Sequence, residues 1–239
     1  MGTTVSIDVR DPGVPLQALD DAIAVLEELD ARFSTYRADS EISRIGRGEL
    51  AVAESHADVR EVLDACAVLR AESDGAFDAW RDGRLDPSGY VKGWAAERAA
   101  AVLRASGARR FTVNLGGDVI CAGGSDDGTP WRVGVRHPDD AHRMALVLGV
   151  PNGAVATSGR YERGDHVVDA RTGEARRAWA SITVLAPDLA TADAVATAAL
   201  AMGSDGPAWA AARPTCAVAA IDPAGRLWTS PALEAARLA

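Results

Sequence analysis

Residues Leu189 to Gly203 read L-A-T-A-D-A-V-A-T-A-A-L-A-M-G, and the reading of the chain turns on this run. Alanine is the strongest helix former, and between Leu189 and Met202 only Thr191, Asp193 and Thr197 are polar. The stretch predicts a helix, capped by Asp188 and ended by Gly203. Residues four apart share a helical face, so Asp193 and Thr197 look the same way. A carboxylate on an otherwise apolar helix is costly to bury unless something pairs with it. A hard cation would do so: Mg²⁺ takes oxygen ligands and often shares its sphere with water and phosphate. For D-x-x-x-T taken alone, two polar side chains at an exposed helix end is the commoner reading, and only the surroundings shift the balance.

Working outward, T-S-G-R-Y-E-R (Thr157–Arg163), H-V-V-D-A-R-T-G (His166–Gly173) and S-I-T-V-L-A-P-D (Ser181–Asp188) lead into that helix. Further upstream stand the opening M-G-T, F-S-T-Y-R-A-D-S-E-I-S (Phe33–Ser43) and G-A-F-D (Gly75–Asp78). D-P-S-G-Y-V-K-G-W-A-A-E (Asp86–Glu97), N-L-G-G-D (Asn114–Asp118) and W-R-V-G-V-R-H-P (Trp131–Pro138) follow. This succession resembles the ApbE-type flavin transferases (FAD:protein FMN transferases) over nearly all of the chain. Three departures stand out. Gly46 occupies the place where an Asn usually ends the first motif, and Ala170 replaces a proline. His137 stands where an acid is common, which leaves it a surface or loop residue.

The resemblance implies an α+β fold, with helices packed on mainly antiparallel sheets and two interleaved lobes framing a cleft, in one domain over 1–239. It implies FAD as substrate and Mg²⁺ as cofactor. FMN would move from FAD to a Thr or Ser hydroxyl of an acceptor flavoprotein, and AMP would leave. Asp193, Thr197 and the main-chain carbonyl of Val91 would hold the metal. FAD would lie against Met1, Tyr36, Ala76, Phe77, Asp78, Ser88, Lys92, Trp94 and Val167, with Tyr36 near the isoalloxazine ring. Glycines let backbone approach phosphate, and a helix N-terminus favours anions, so the segment from Ser88 to Trp94 suits the diphosphate. His166 is the natural base for the acceptor hydroxyl, because an imidazole titrates near neutrality. Two other readings keep part of this site: a Mg²⁺-dependent FAD pyrophosphatase that uses water as acceptor, and a flavin-binding protein without turnover.

Bulk properties agree with an ordinary globular chain. It has 239 residues, 48% hydrophobic and 25% charged, with a net charge of −9. That balance argues against broad nucleic-acid binding, which needs a basic footprint. Lys92 is the only lysine; the other basic residues are arginines. Cys66, Cys121 and Cys216 sit in apolar runs and read as buried free thiols. No apolar run is long enough to span a bilayer, and no leader is visible; the expectation is a cytoplasmic protein, or an exported one from which a leader was removed.

Periodicity supplies the remaining elements. Residues 3–10 alternate as a half-buried strand, and 15–33 and 57–72 carry apolar residues at helical spacing. A strand–turn–strand is expected over 109–122, two strands over 143–157, a helix over 205–212, strands at 215–221 and 226–229, and a closing helix. The Gly116-Gly117 turn is no G-x-G-x-x-G opening a helix, so a Rossmann fold is excluded. His56 and His142 lie in polar stretches, and Trp209 and Trp228 read as core.

Overall fold

A computed structural model describes residues 3–81, 83–125, 128–160 and 167–238. Its frame is a seven-stranded sheet with every neighbouring pair antiparallel. Across it run β1 (Val5–Val9), β4 (Phe111–Leu115), β5 (Asp118–Ala122), β8 (Gly153–Gly159), β9 (Ser181–Ala186), β10 (Ala217–Ile221) and β11 (Leu227–Thr229). Two hairpins stand apart from it: β2 (Trp80–Arg81) with β3 (Arg84–Leu85), and β6 (Trp131–His137) with β7 (Asp140–Val150). The α+β class expected from the sequence is the class observed.

Successive side chains of a strand point to opposite faces, and this sheet is apolar on both. On one face Ile120, Ala154, Ile182 and Val218 join the main core. On the other, Cys121, Val155 and Ala219 join a smaller core with Trp131, Leu148 and Leu233. On the first face lie α4 (Ser88–Ala105) and α5 (Leu189–Met202); α1 (Gln17–Phe33) and α3 (Ala57–Glu72) pack on α4, and α2 (Glu41–Gly46) on α1 and β3, extending the same core. The β6–β7 hairpin and α7 (Pro231–Glu234) cover the second. A short α6 (Gly206–Ala211) lies between α5 and β10.

The α5 helix is where the alanine-rich run put it. The Asp188 carboxylate caps it, accepting from Thr191 N at 2.8 Å and Thr191 Oγ1 at 2.9 Å, and Gly203 ends it at φ 73°. With ten of its residues buried, α5 is a central helix; it packs on α4, β8 and β9. Other elements fall within a few residues of expectation, but α2, the β2–β3 hairpin, β6 and β9 were not foreseen as elements. Two residues need correction. His137 is buried at the end of β6, its Nδ1 accepting from Asp139 N at 3.2 Å; it is not a surface residue. Trp228 is exposed on edge strand β11 and is not core, whereas Trp209 does pack against the main core. The three cysteines are free and buried, and among the described residues no helix is long and apolar enough to cross a membrane.

Candidate active site

Three elements deliver charge to one point under the sheet. Lys92 comes from the second turn of α4, Asp193 from the second turn of α5, and Asp118 from the first residue of β5. Lys92 Nζ lies 2.6 Å from Asp118 Oδ2 and 3.4 Å from Asp193 Oδ1. The other oxygen of Asp193 accepts from Gly93 N at 3.0 Å. That contact needs α4 and α5 to touch backbone to backbone. They do so at Gly93, where a Cβ would fall 2.3 Å from the Leu189 carbonyl oxygen.

Asp118 is held from the sheet side. Pairing of β5 with β8 stops at Val119 and Val155, and beyond that point the Asp118 carboxylate replaces a ladder partner by accepting from Thr157 N at 2.9 Å. Both aspartates are almost fully buried, 2% and 3% exposed, while Lys92 is only partly so. Two carboxyl groups thus face one ammonium. Burial raises the Asp193 carboxyl, and the Asp118 charge adds to the rise against the pull of Lys92; the result is about 7. Burial likewise raises Asp118, opposed by Lys92. Burial alone would lower the Lys92 ammonium, but Asp193 and Asp118 outweigh it and the net shift is upward.

The neighbouring turn of α5 carries Thr197, half-buried, whose hydroxyl shares a hydrogen bond of 3.0 Å with Ser158 Oγ on β8. Gly89, at the start of α4, lies against it: a Cβ there would sit 3.0 Å from both the Thr197 methyl and the Phe77 ring. The G-A-F-D segment, the start of α4 and the polar face of α5 therefore meet. Gly75, at φ 77°, makes the turn into that segment. The next stretch joins them too: Ala170 N donates to Ala76 O at 3.0 Å, tying the turn after Asp169 to the G-A-F-D loop.

Asp169 has no exposed surface. Arg171 Nε and Nη2 both donate to it at 2.9 Å, and Arg176 donates to its Oδ2 at 3.0 and 2.7 Å. Those bonds, Arg171 first, hold its carboxyl down at about 2.

The remaining sequence-derived residues divide. Ala76 and Phe77 are buried at the meeting point, and Val167 packs half-buried on the main core. Val91 is buried next to Lys92. Ser88 is exposed at the N-terminus of α4, its main-chain amide donating to Asp86 Oδ1 at 3.0 Å. Asp78 is engaged locally, accepting from Arg70 Nε at 2.6 Å and Trp80 N at 2.9 Å. The Trp94 indole turns inward, edge-on to Phe33 and donating to Glu61 at 2.8 Å. Tyr36 is 97% exposed between α1 and α2. Met1 and His166 lie outside the described residues. Sequence reasoning missed Asp118 and Ser158 as members of the cluster. Each stood inside a quoted motif, but nothing in local spacing says that they face α4 and α5.

The donor set suits a hard divalent cation: a buried carboxyl group, a hydroxyl one turn on, and two carboxyl groups to one ammonium. Among the described residues no three His, Cys, Asp or Glu side chains gather around one point. A cation here would therefore draw on hydroxyl and main-chain oxygens as well. A hollow of about 360 Å³ between β1 and α1, lined by Ile7, Val9, Val14 and Leu16 among others, shares no residue with this cluster.

The sequence model of the ApbE family matches residues 1–82 and 79–220. A protein of Haemophilus influenzae named FAD:protein FMN transferase is 26% identical over 274 residues, 86% of this chain and 79% of that protein. One of the same name from Rhodobacter capsulatus is 36% identical over 162 residues, 64% of this chain and 31% of that one. Among solved structures, the ApbE protein of Thermotoga maritima superimposes with a TM-score of 0.89 at 23% identity, covering 100% of this chain and 97% of that one. The flavin transferase ApbE of Vibrio cholerae gives 0.84 at 24% identity, over 98% and 96%.

Proposed function

The chain belongs to the ApbE family, and from that membership we propose that it transfers FMN from FAD to a Thr or Ser hydroxyl of an acceptor flavoprotein. The acceptor oxygen bonds to the FMN-side phosphorus, the bond from that phosphorus to the bridging oxygen breaks, and AMP leaves. Such a transfer depends chiefly on positioning and on neutralising phosphate charge. The observation that supports the reading is the cluster of Asp193, Asp118 and Lys92 beside Thr197, in which two buried carboxyl groups face one ammonium.

Asp193, Thr197 and the Val91 carbonyl are the residues that would hold Mg²⁺, which when bound supplies positive charge to the diphosphate. The N-terminus of α4 at Ser88, exposed and carrying the positive end of the helix dipole, would face the phosphates. Ala76, Phe77 and Asp78 border the flavin end, with Met1, Tyr36 and Val167. Lys92 keeps a positive charge at the phosphates. Trp94 serves through its main chain, its ring being held by Phe33 and Glu61. His166 takes the proton of the acceptor hydroxyl.

The test is direct. Incubation with FAD, Mg²⁺ and a Thr-bearing acceptor peptide is expected to give a yellow peptide carrying FMN as a mass adduct, with AMP released in equal amount. Asp193→Asn should abolish the adduct at limiting Mg²⁺. Free FMN without adduct would show water to be the acceptor, and intact FAD would exclude turnover altogether.

A further inference from the structure

We propose that Asp118 is a positioning residue: it holds the Lys92 ammonium as its nearer partner, so that the pair of Lys92 with Asp193 Oδ1 stays the longer one and that oxygen can be yielded to the divalent cation. This rests on the reading of Asp193 as a cation ligand. Asp193 Oδ2 accepts from Gly93 N at 3.0 Å and Oδ1 is the oxygen the ammonium approaches, so a cation binding at Oδ1 competes with Lys92. Lys92 stands 3.4 Å from that atom but 2.6 Å from Asp118 Oδ2. Asp118 Oδ2 accepts no well-aligned hydrogen bond and has this ammonium as its neighbour, while Oδ1 is pinned by Thr157 N at 2.9 Å. The anchor therefore belongs to the sheet, and the site it protects belongs to α5.

The Lys92 side chain is 30% exposed, and the other carboxyl group within its reach is Asp193. Released from its nearer carboxylate, it would close on Asp193 Oδ1, and any incoming cation would then have to break a buried ion pair, which is strongly unfavourable. Asp118 prevents that without touching the cation. Outer partners of this kind typically change metal affinity by about 10- to 100-fold when removed.

A double-mutant cycle separates anchoring from simple charge at a distance. Mg²⁺ alone is titrated calorimetrically into the wild type, Asp118→Asn, Lys92→Met and the double variant. Asn is isosteric and its amide oxygen can still accept from Thr157 N; thermal melts check that each variant folds. Asp118→Asn is expected to weaken Mg²⁺ about tenfold or more when Lys92 is present, and to have little effect once Lys92 is Met. Equal losses in both backgrounds would overturn the proposal. So would a metal-free crystal structure of Asp118→Asn in which the ammonium keeps its place; the expected structure has it hydrogen-bonded to Asp193. Should Asp193→Asn leave Mg²⁺ affinity untouched, the ligand assignment fails, and the Lys92 position in Asp118→Asn still decides the anchoring.

Discussion

Asp169 shows what a single buried acid contributes. It has no exposed surface, yet two guanidinium groups and the Arg171 main-chain amide compensate it. Arg171 packs over Gly75, and Arg176 lies against Gly203 just past α5. The acid therefore clamps the G-A-F-D loop and the end of the site helix to one turn. Its carboxyl sits at about 2 in the folded protein, against about 3.9 in an unfolded chain. A depressed value of this kind stabilises the fold above the unfolded value, and the contribution is lost as pH falls from about 4 through about 2. It amounts to at most roughly 2 kcal/mol, because both guanidinium groups keep part of their surface in water. Asp169→Asn is expected to lower the melting temperature at neutral pH and to flatten its decline between pH 4 and pH 2. Melting curves across that range check both.

Among elements, the α4–α5 contact carries the site, and one residue permits it. Gly93→Ala would drive a methyl into the Leu189 carbonyl, and backbone cannot swing aside as a side-chain tip can. We expect destabilisation of about 3 kcal/mol or more, together with loss of FMN transfer as Asp193 moves off Gly93 N. Gly46→Ala is the contrast. It closes α2 without a positive φ, and a Cβ there meets Leu85 at an ordinary 3.7 Å. It should be neutral, or stabilising by up to about 1 kcal/mol. Urea titration of the two variants measures both. The same contact marks where the sequence was legible. The α5 run declared its type, its cap and its end, because composition, Asp188 and Gly203 are local signals. The polar face of Asp193 and Thr197 followed from period alone. Lys92, Asp118 and Asp193 lie far apart along the chain and on three different elements, and no local pattern encodes their meeting. The β9 strand escaped for another reason: S-I-T-V-L-A is buried on both faces, so it lacks the alternation that announces a half-exposed strand. His137 was misjudged because a polar type in a loop-like motif says nothing about the hairpin that folds over it.

For the whole molecule, the sheet with two apolar faces divides the labour. The helical face bears the cluster, and the opposite face is closed by the β6–β7 hairpin and α7. Leu233 of α7 is fully buried there. Leu233→Ala is expected to cost about 2–5 kcal/mol while leaving Mg²⁺ affinity and FMN transfer per folded molecule unchanged at permissive temperature. Denaturation and turnover of the same preparation test the separation, and equal loss of both would show the two faces to be coupled. Charge has a molecule-wide aspect as well. A chain of 239 residues whose only lysine is Lys92 offers an amine-selective reagent a single side-chain amine, and that amine sits between Asp118 and Asp193. The rate at which the label appears thus becomes a built-in gauge of who is holding the amine.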